Sequence, residues 1–137
     1  MKNFKIKKQS SVLFFIISAA LVVLFTAMQS SDWKAPASAK NIQNPVPADA
    51  SNIAEGKKAY VSDCQKCHGK KGMGDGPNAS ELDNTLEPLN NAGVNAQTDG
   101  ELFWKISEGK KPMPAAKKTL GDQQRWQVLN YVRTFSK

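Results

Sequence analysis

An uncharged apolar run over residues 12–28 follows four lysines and no acid at residues 2–8. The 17 residues of the run would rise about 25 Å as a helix, slightly less than the roughly 30 Å hydrocarbon core of a bilayer. Signal peptides usually have a shorter apolar region of about 7–15 residues, and no small-x-small cleavage pattern follows closely here. We therefore predict an uncleaved membrane anchor over residues 1–29, with a cleaved signal peptide as the alternative. The basic flank keeps the N-terminus cytoplasmic, so the rest of the chain is exported.

The composition changes after the apolar run. Residues 30–51 are rich in Ala, Ser, Asn and Pro and show no apolar periodicity. Such a composition is typical of a linker. We predict a flexible linker over residues 30–51 and a folded domain over residues 52–137.

Capping signals and helical spacing predict the main elements of this domain. Asn52, with Glu55 three residues later, marks the start of a first helix that runs into residues 59–61 and beyond. Thr98 and Glu101 form a capping box that opens a second helix, which stops at Gly109.

The C-terminal helix carries the clearest periodicity in the chain. Thr119 is predicted to cap it, with Asp122 three residues later. Its apolar positions follow helical spacing: Trp126, Val128, Leu129, Tyr131, Val132 and Phe135. Residues 69–97 are rich in Gly, Asn, Asp and Pro and are predicted to be loop, with one short helix near residues 79–82. The pattern predicts a small all-α domain.

The charge of the chain does not alter the prediction of a small all-α domain. The chain of 137 residues has a formal net charge of +7. Much of this charge lies in residues 1–40, which hold six lysines against one aspartate. Nucleic-acid binding would need basic residues spread over a recognisable folded module, and the sequence contains none. We therefore exclude nucleic acid as a partner.

The candidate chemistry lies in the five residues from Cys64 to His68, which read C-x-x-C-H, the attachment signature of a c-type haem. Cys64 and Cys67 are the only cysteines and His68 is the only histidine. A thioredoxin-like redox pair would need a βαβ context, and a structural zinc site would need a fourth ligand. We predict one haem c, covalently bound through Cys64 and Cys67 and ligated by His68. A covalent porphyrin would also stabilise a small domain with a thin core.

The second axial ligand is a methionine or is absent, because no second histidine exists. Met113 lies between Pro112 and Pro114, which stiffen its loop. Met73 lies only five residues after His68, so the chain would have to turn round the ring at once. We favour Met113, and Met73 or an open iron position are the alternatives. Ligation by histidine and methionine raises the reduction potential and suits one-electron transfer.

Five motifs in order give this chain its resemblance to the class I c-type cytochromes. They are Gly56-x-x-x-Tyr60, Cys64-x-x-Cys67-His68-Gly69, Gly72-x-Gly74-Asp75-Gly76-Pro77, Gly109-Lys110-Lys111-Pro112-Met113-Pro114 and Arg125-Trp126-x-x-x-x-Tyr131-Val132. The resemblance implies a helical bundle wrapped around one haem, with Met113 as the second axial ligand. It implies that Gly56 lets Tyr131 approach where the first and last helices cross. It further implies that the Pro77 carbonyl accepts a hydrogen bond from His68 Nδ1.

The resemblance also implies a function. We expect a membrane-tethered mono-haem electron carrier, not an enzyme, between a quinol-oxidising complex and a terminal oxidase of a respiratory chain. The protein would be anchored in the lipid of the bacterial cytoplasmic membrane. Its haem domain would lie on the periplasmic side. One alternative is a fixed haem subunit of a respiratory oxidoreductase complex. Another is an enzyme or sensor with an open iron site, which Met113 argues against.

Overall fold

The computed structural model describes residues 33–82 and 85–136, and the predicted anchor over residues 1–29 lies outside them. The helices of this described part are α1 (Ala50–Asp63), α2 (Gln65–His68), α3 (Ala92–Asn95), α4 (Asp99–Glu108) and α5 (Asp122–Val132). Short 3-10 helices cover Ala37–Asn41, Ala79–Glu81, Ala116–Lys118 and Arg133–Ser136. The prediction of an all-α domain is confirmed. Within the described part, no helix combines the length and apolar character needed to cross a bilayer.

Helix α1 begins earlier than predicted. Asp49 is its N-cap, and the Asp49 carboxylate accepts a hydrogen bond of 2.8 Å from the backbone N–H of Asn52. The predicted start at Asn52 is wrong because an aspartate three residues upstream satisfies that N–H.

The two longest helices of the described part, α1 and α5, cross in direct backbone contact. A Cβ on Gly56 would lie only 1.8 Å from the Gln127 carbonyl oxygen, so only glycine fits there. The expectation of a close crossing at Gly56 is confirmed, but its partner is Gln127 and not Tyr131. The Tyr131 ring lies one turn further on and packs edge-on against buried Tyr60, with ring centroids 5.3 Å apart.

Helix α4 has the predicted boundaries. The Thr98 hydroxyl accepts from the Glu101 N–H, and the Glu101 carboxylate accepts from the Thr98 N–H at 2.8 Å. The helix ends at Gly109, whose φ of 65° lies in the left-handed region that favours glycine. Its Phe103 ring stacks on Trp126 of α5, with centroids 3.8 Å apart. This stacking joins α4 to α5.

Helix α5 forms the centre of the domain. Residues 125–130 are all buried, as is Val132, so the predicted apolar positions 126, 128, 129 and 132 face the core. The predicted cap at Thr119 is wrong: the N-cap is Gly121, whose N–H donates to the Gln124 side chain at 3.0 Å. The Thr119 hydroxyl points back to the Ala116 carbonyl.

Residues 36–49, which we call the N-terminal strap, differ from the predicted flexible linker. The strap packs on the helices: Ala39 is 1% exposed, and Val46 contacts the core around Leu102, Trp126 and Leu129. The sequence did not predict this packing, because small residues and backbone carbonyls make the contacts. Such contacts produce no apolar periodicity. The domain therefore extends upstream of residue 52.

Candidate haem-attachment site

The C-x-x-C-H signature lies where α1 passes directly into α2. Cys64 ends α1, and its N–H still donates to the Tyr60 carbonyl at 2.9 Å. Its own carbonyl accepts from Cys67 N–H at 3.1 Å and from His68 N–H at 2.9 Å. The two free, partly buried thiols and the imidazole thus belong to one helical turn. This is the arrangement that the spacing predicted.

Burial favours the neutral forms of Cys64 and His68. It raises the pKa of the Cys64 thiol to about 11, with a smaller contribution from the negative charge of Asp63. It lowers the pKa of His68 below its ordinary value. At neutral pH the imidazole is therefore uncharged, and only the uncharged form can ligate a metal.

His68 Nδ1 is buried and has no hydrogen-bond partner among the described residues. The bond to the Pro77 carbonyl that the resemblance implied is therefore not formed. Pro77 itself is exposed, although its neighbours are tied to the signature: Gly76 N–H donates to the Cys67 carbonyl at 3.2 Å, and Asn78 N–H donates to the Lys66 carbonyl at 2.8 Å. The loop thus places Pro77 beside the turn without pairing it to His68.

Glycines let this loop fold back on the signature. Gly69 has a φ of 81°, and Gly74 N–H donates to the His68 carbonyl at 2.9 Å. A Cβ on Gly76 would lie 2.4 Å from the Lys66 carbonyl oxygen. Any larger residue at Gly76 would push the loop away from the turn that carries both cysteines.

Tyr60 fixes the start of the loop. Its hydroxyl donates a 2.7 Å hydrogen bond to the Gly69 carbonyl, and its side chain is among the most buried in the described part. Burial raises the pKa of Tyr60 far above its ordinary value. The hydroxyl therefore stays protonated and remains a donor. The Gly56-x-x-x-Tyr60 motif marked this residue, but the sequence did not indicate its partner.

The two candidate methionines lie in different surroundings. Met113 is partly buried on a turn closed by its N–H donating to the Lys110 carbonyl at 2.8 Å, and a Cβ on Gly109 would lie 2.6 Å from the Met113 carbonyl oxygen. Met73, in contrast, is 45% exposed between Gly72 and Gly74. The local geometry therefore favours Met113 as the residue held in a defined position.

Sequence reasoning gave no role to Arg125, which the structure places against α4. Its guanidinium is buried, lies 4.8 Å over the Phe103 ring and donates to the Ser107 hydroxyl and to Asp122. Ser107 is two residues before Gly109, where the Met113 loop begins. Arg125 thus holds the end of α4 from which that loop leaves. Its place in the Arg125-Trp126 motif was the only signal in the sequence.

The residues of the site fit a covalent haem c. Two thiols lie on one turn, and the imidazole beside them is uncharged, which is the form that ligates a metal. Cys64 and Cys67 are therefore the attachment residues of a C-x-x-C-H haem c site.

The helical fold and this signature define a cytochrome c domain of the mono-haem class I type, as expected. The chain belongs to the family of cytochrome c oxidase, cbb3-type, subunit III, whose family model matches residues 51–132.

A solved structure of a reducing HAO-like protein complex from Kuenenia stuttgartiensis contains a similar chain, with 28% sequence identity and a TM-score of 0.60. The match covers 70% of the present chain and 50% of that chain, so the present chain spans about half the length of its relative. No curated protein is similar enough to be matched.

Proposed function

We propose that this protein is a membrane-tethered mono-haem electron carrier of a bacterial respiratory chain, with His68 and Met113 as the axial ligands. The observation that carries the proposal is the signature turn, where two thiols accompany a half-buried, neutral His68 in a cytochrome c domain. When bound, the haem supplies a one-electron Fe(III)/Fe(II) couple.

The residues of the chain would set the properties of that couple. The soft thioether of Met113 favours Fe(II) and raises the potential, and ligation by both Met113 and His68 leaves no open position for a substrate. Electron transfer therefore fits this ligand set better than catalysis or gas sensing does. Two ligands held in place by the chain would also keep the rearrangement between the oxidation states small.

The absorption spectrum of the oxidised, haem-loaded protein tests the ligation. We expect the weak charge-transfer band in the far red that a thioether gives to ferric iron. A spectrum without this band at neutral pH would refute Met113 ligation and favour the open-site alternative.

The proposed tether rests on residues 12–28 and on the lysines before them, which keep the N-terminus cytoplasmic. The haem domain would then lie on the periplasmic side, where electron carriers meet the other respiratory complexes. Mass spectrometry of the intact protein from the membrane fraction tests this. A measured mass equal to that of the unprocessed chain with one haem supports the tether. A lower mass, which shows that the N-terminal segment has been removed, would refute it.

We further propose that exposed lysines guide a redox partner. Seven lysines flank the signature and the Met113 loop, and all of them are exposed: Lys66, Lys70, Lys71, Lys110, Lys111, Lys117 and Lys118. Among them, Lys117 forms an ion pair with Glu108 at 2.5 Å. A basic surface attracts an acidic partner and accelerates encounter more than it tightens binding.

Electron-transfer rates test this surface. Exposed charges are screened over about 10 Å at 0.1 M salt, so the rate with the partner should fall steeply as ionic strength rises. Reversing Lys110 and Lys111 to glutamate should slow transfer more than the same change at Lys57 and Lys58, two exposed lysines of α1. Equal effects at both pairs would mean that this surface does not guide docking.

A second candidate function is a fixed haem subunit of an oxidoreductase complex. Two comparisons favour it: the family is named for an oxidase subunit, and the similar solved chain belongs to a protein complex. Purification in mild detergent separates the two functions. A carrier should elute as a single chain, whereas a subunit should co-purify with other chains in fixed proportion.

A further inference from the structure

The Met113 loop connects the end of α4 to the start of α5. It begins at Gly109, directly after α4, and ends at Gly121, the N-cap of α5. Within the loop, the Met113 N–H donates to the Lys110 carbonyl at 2.8 Å, and the Gly109 backbone closely approaches the Met113 carbonyl oxygen. The position of Met113 therefore depends on how the end of α4 and the start of α5 are held together.

Arg125 joins these two helix ends. It lies in the first turn of α5, and its guanidinium donates to the hydroxyl of Ser107, the second-last residue of α4. That hydroxyl donates in turn to the Phe103 carbonyl at 2.7 Å, and the guanidinium lies 4.8 Å from the centroid of the Phe103 ring. The guanidinium also donates to Asp122 at the start of α5. One side chain thus connects the last turn of α4 to the first turn of α5, across the base of the Met113 loop.

Burial makes this connection strong. Arg125 is 7% exposed and Ser107 is 4% exposed, so water does not compete for their hydrogen bond. A hydrogen bond from a charged donor is roughly twice as strong as one between neutral groups. A second connection across the loop, the ion pair between Lys117 and Glu108, has both side chains more than a third exposed, and such pairs contribute little. The bond between Arg125 and Ser107 is therefore the stronger of the two.

We propose that Arg125 is a positioning residue for the axial ligand: by clamping α4 to α5 through Ser107, it holds Met113 in the position from which it ligates the iron. The inference rests on the proposed ligation by Met113 and concerns how firmly that ligand is held. Holding a loop in its binding arrangement strengthens binding, because less freedom is lost when the bond forms. Without the clamp, a competing ligand would displace the thioether more readily.

The experiment titrates the full-length, haem-loaded ferric protein in mild detergent with imidazole, which competes with the thioether. Loss of the far-red band of thioether ligation gives the Kd of imidazole. Ser107→Ala removes the hydroxyl and keeps a good helix former, and Arg125→Gln removes the charged fork. Arg133→Gln is the matched control, because Arg133 joins the opposite ends of the same two helices by donating to Asp99 at 2.8 Å.

We expect Ser107→Ala and Arg125→Gln each to lower the Kd of imidazole about tenfold, which corresponds to about 1.4 kcal/mol. Hydrogen exchange at the Met113 N–H should also become faster in both. Arg133→Gln should lower Tm without either change. The double variant should bind imidazole no more tightly than Arg125→Gln alone, because both substitutions remove the same bond. If Arg125→Gln does not fold, Ser107→Ala decides.

A wild-type Kd in both variants, with the far-red band present, overturns the inference and leaves ligation by Met113 intact. A Kd that falls equally in Arg133→Gln also overturns it, because a general loosening of the two helices would then explain the effect. If the wild-type protein itself lacks the far-red band, Met113 is not the ligand, and the inference falls with the proposed ligation.

Discussion

Replacing Gly56 by alanine should destabilise the domain, because Gly56 is the point where α1 and α5 touch. An added Cβ would lie 1.8 Å from the Gln127 carbonyl oxygen and 2.3 Å from its carbonyl carbon. Both atoms are backbone, so no side-chain rotation relieves the clash. The helices must move apart, and Tyr60 one turn further on loses part of its packing.

The size of the effect is a balance of two contributions. Overpacking of this kind typically costs about 1–3 kcal/mol. Alanine in place of glycine inside a helix stabilises the folded state by about 1 kcal/mol, because alanine has the higher helix propensity. A clash of two backbones is at the upper end of the overpacking range, so we expect a net loss of about 2 kcal/mol. For a domain of this size that loss lowers Tm by roughly 10 °C.

Thermal and denaturant unfolding of the haem-loaded protein, followed by far-ultraviolet circular dichroism, measures this loss. Gly121→Ala is the control, because the nearest atom to its added Cβ is the Gln124 side-chain oxygen at 3.7 Å, an ordinary contact. We expect this control to remain close to wild type. A Gly56→Ala protein that is as stable as wild type would show that α1 and α5 do not cross as described.

Three further predictions follow from the site. Cys64→Ala combined with Cys67→Ala should abolish covalent haem and leave the domain largely unfolded; recovery of a stable, helical apo-domain would contradict this. Met113→His should keep the iron six-coordinate but lower the midpoint potential in redox titration, since imidazole stabilises Fe(III) better than thioether does; an unchanged potential would exclude Met113 as the ligand. The Tyr60 pKa is raised above its ordinary value of about 10, so the stability that its bond to the Gly69 carbonyl contributes is complete below that pH and is lost as pH rises above it. Denaturation at pH 9 and pH 11 should therefore show a smaller pH dependence in Tyr60→Phe than in wild type, and equal slopes would refute the assignment.

Local signals in the sequence predicted the local features well. The Thr98–Glu101 box and Gly109 define α4 as expected, because each capping interaction joins residues close in sequence. The signature spacing likewise predicted that Cys64 and His68 share one turn. Each of these features depends only on residues that are close in sequence, so the residue pattern is sufficient to predict it.

Contacts between distant segments were predicted less well. Gly56 signalled a close crossing, but whether Gln127 or Tyr131 faces it depends on the helix register, and the two differ by one turn. The strap has no apolar repeat, and Asn130 reads as an ordinary polar residue until its partners at residues 44–47 are known. Which residues of two distant segments contact each other is determined by how the segments pack. The composition of the chain does not specify that packing.

Helix α5 connects the parts of the candidate site. Gln127 contacts α1 at Gly56, and α1 ends in the signature turn. Arg125 binds Ser107 near the end of α4, from which the Met113 loop departs. Asn130, a turn further on, holds the strap. Because one rigid helix carries all three contacts, a shift of α5 would move the haem-attachment turn, the candidate ligand loop and the N-terminal strap together. This accounts for the burial of residues 125–130 on every side of the helix, where a surface helix would bury only one face.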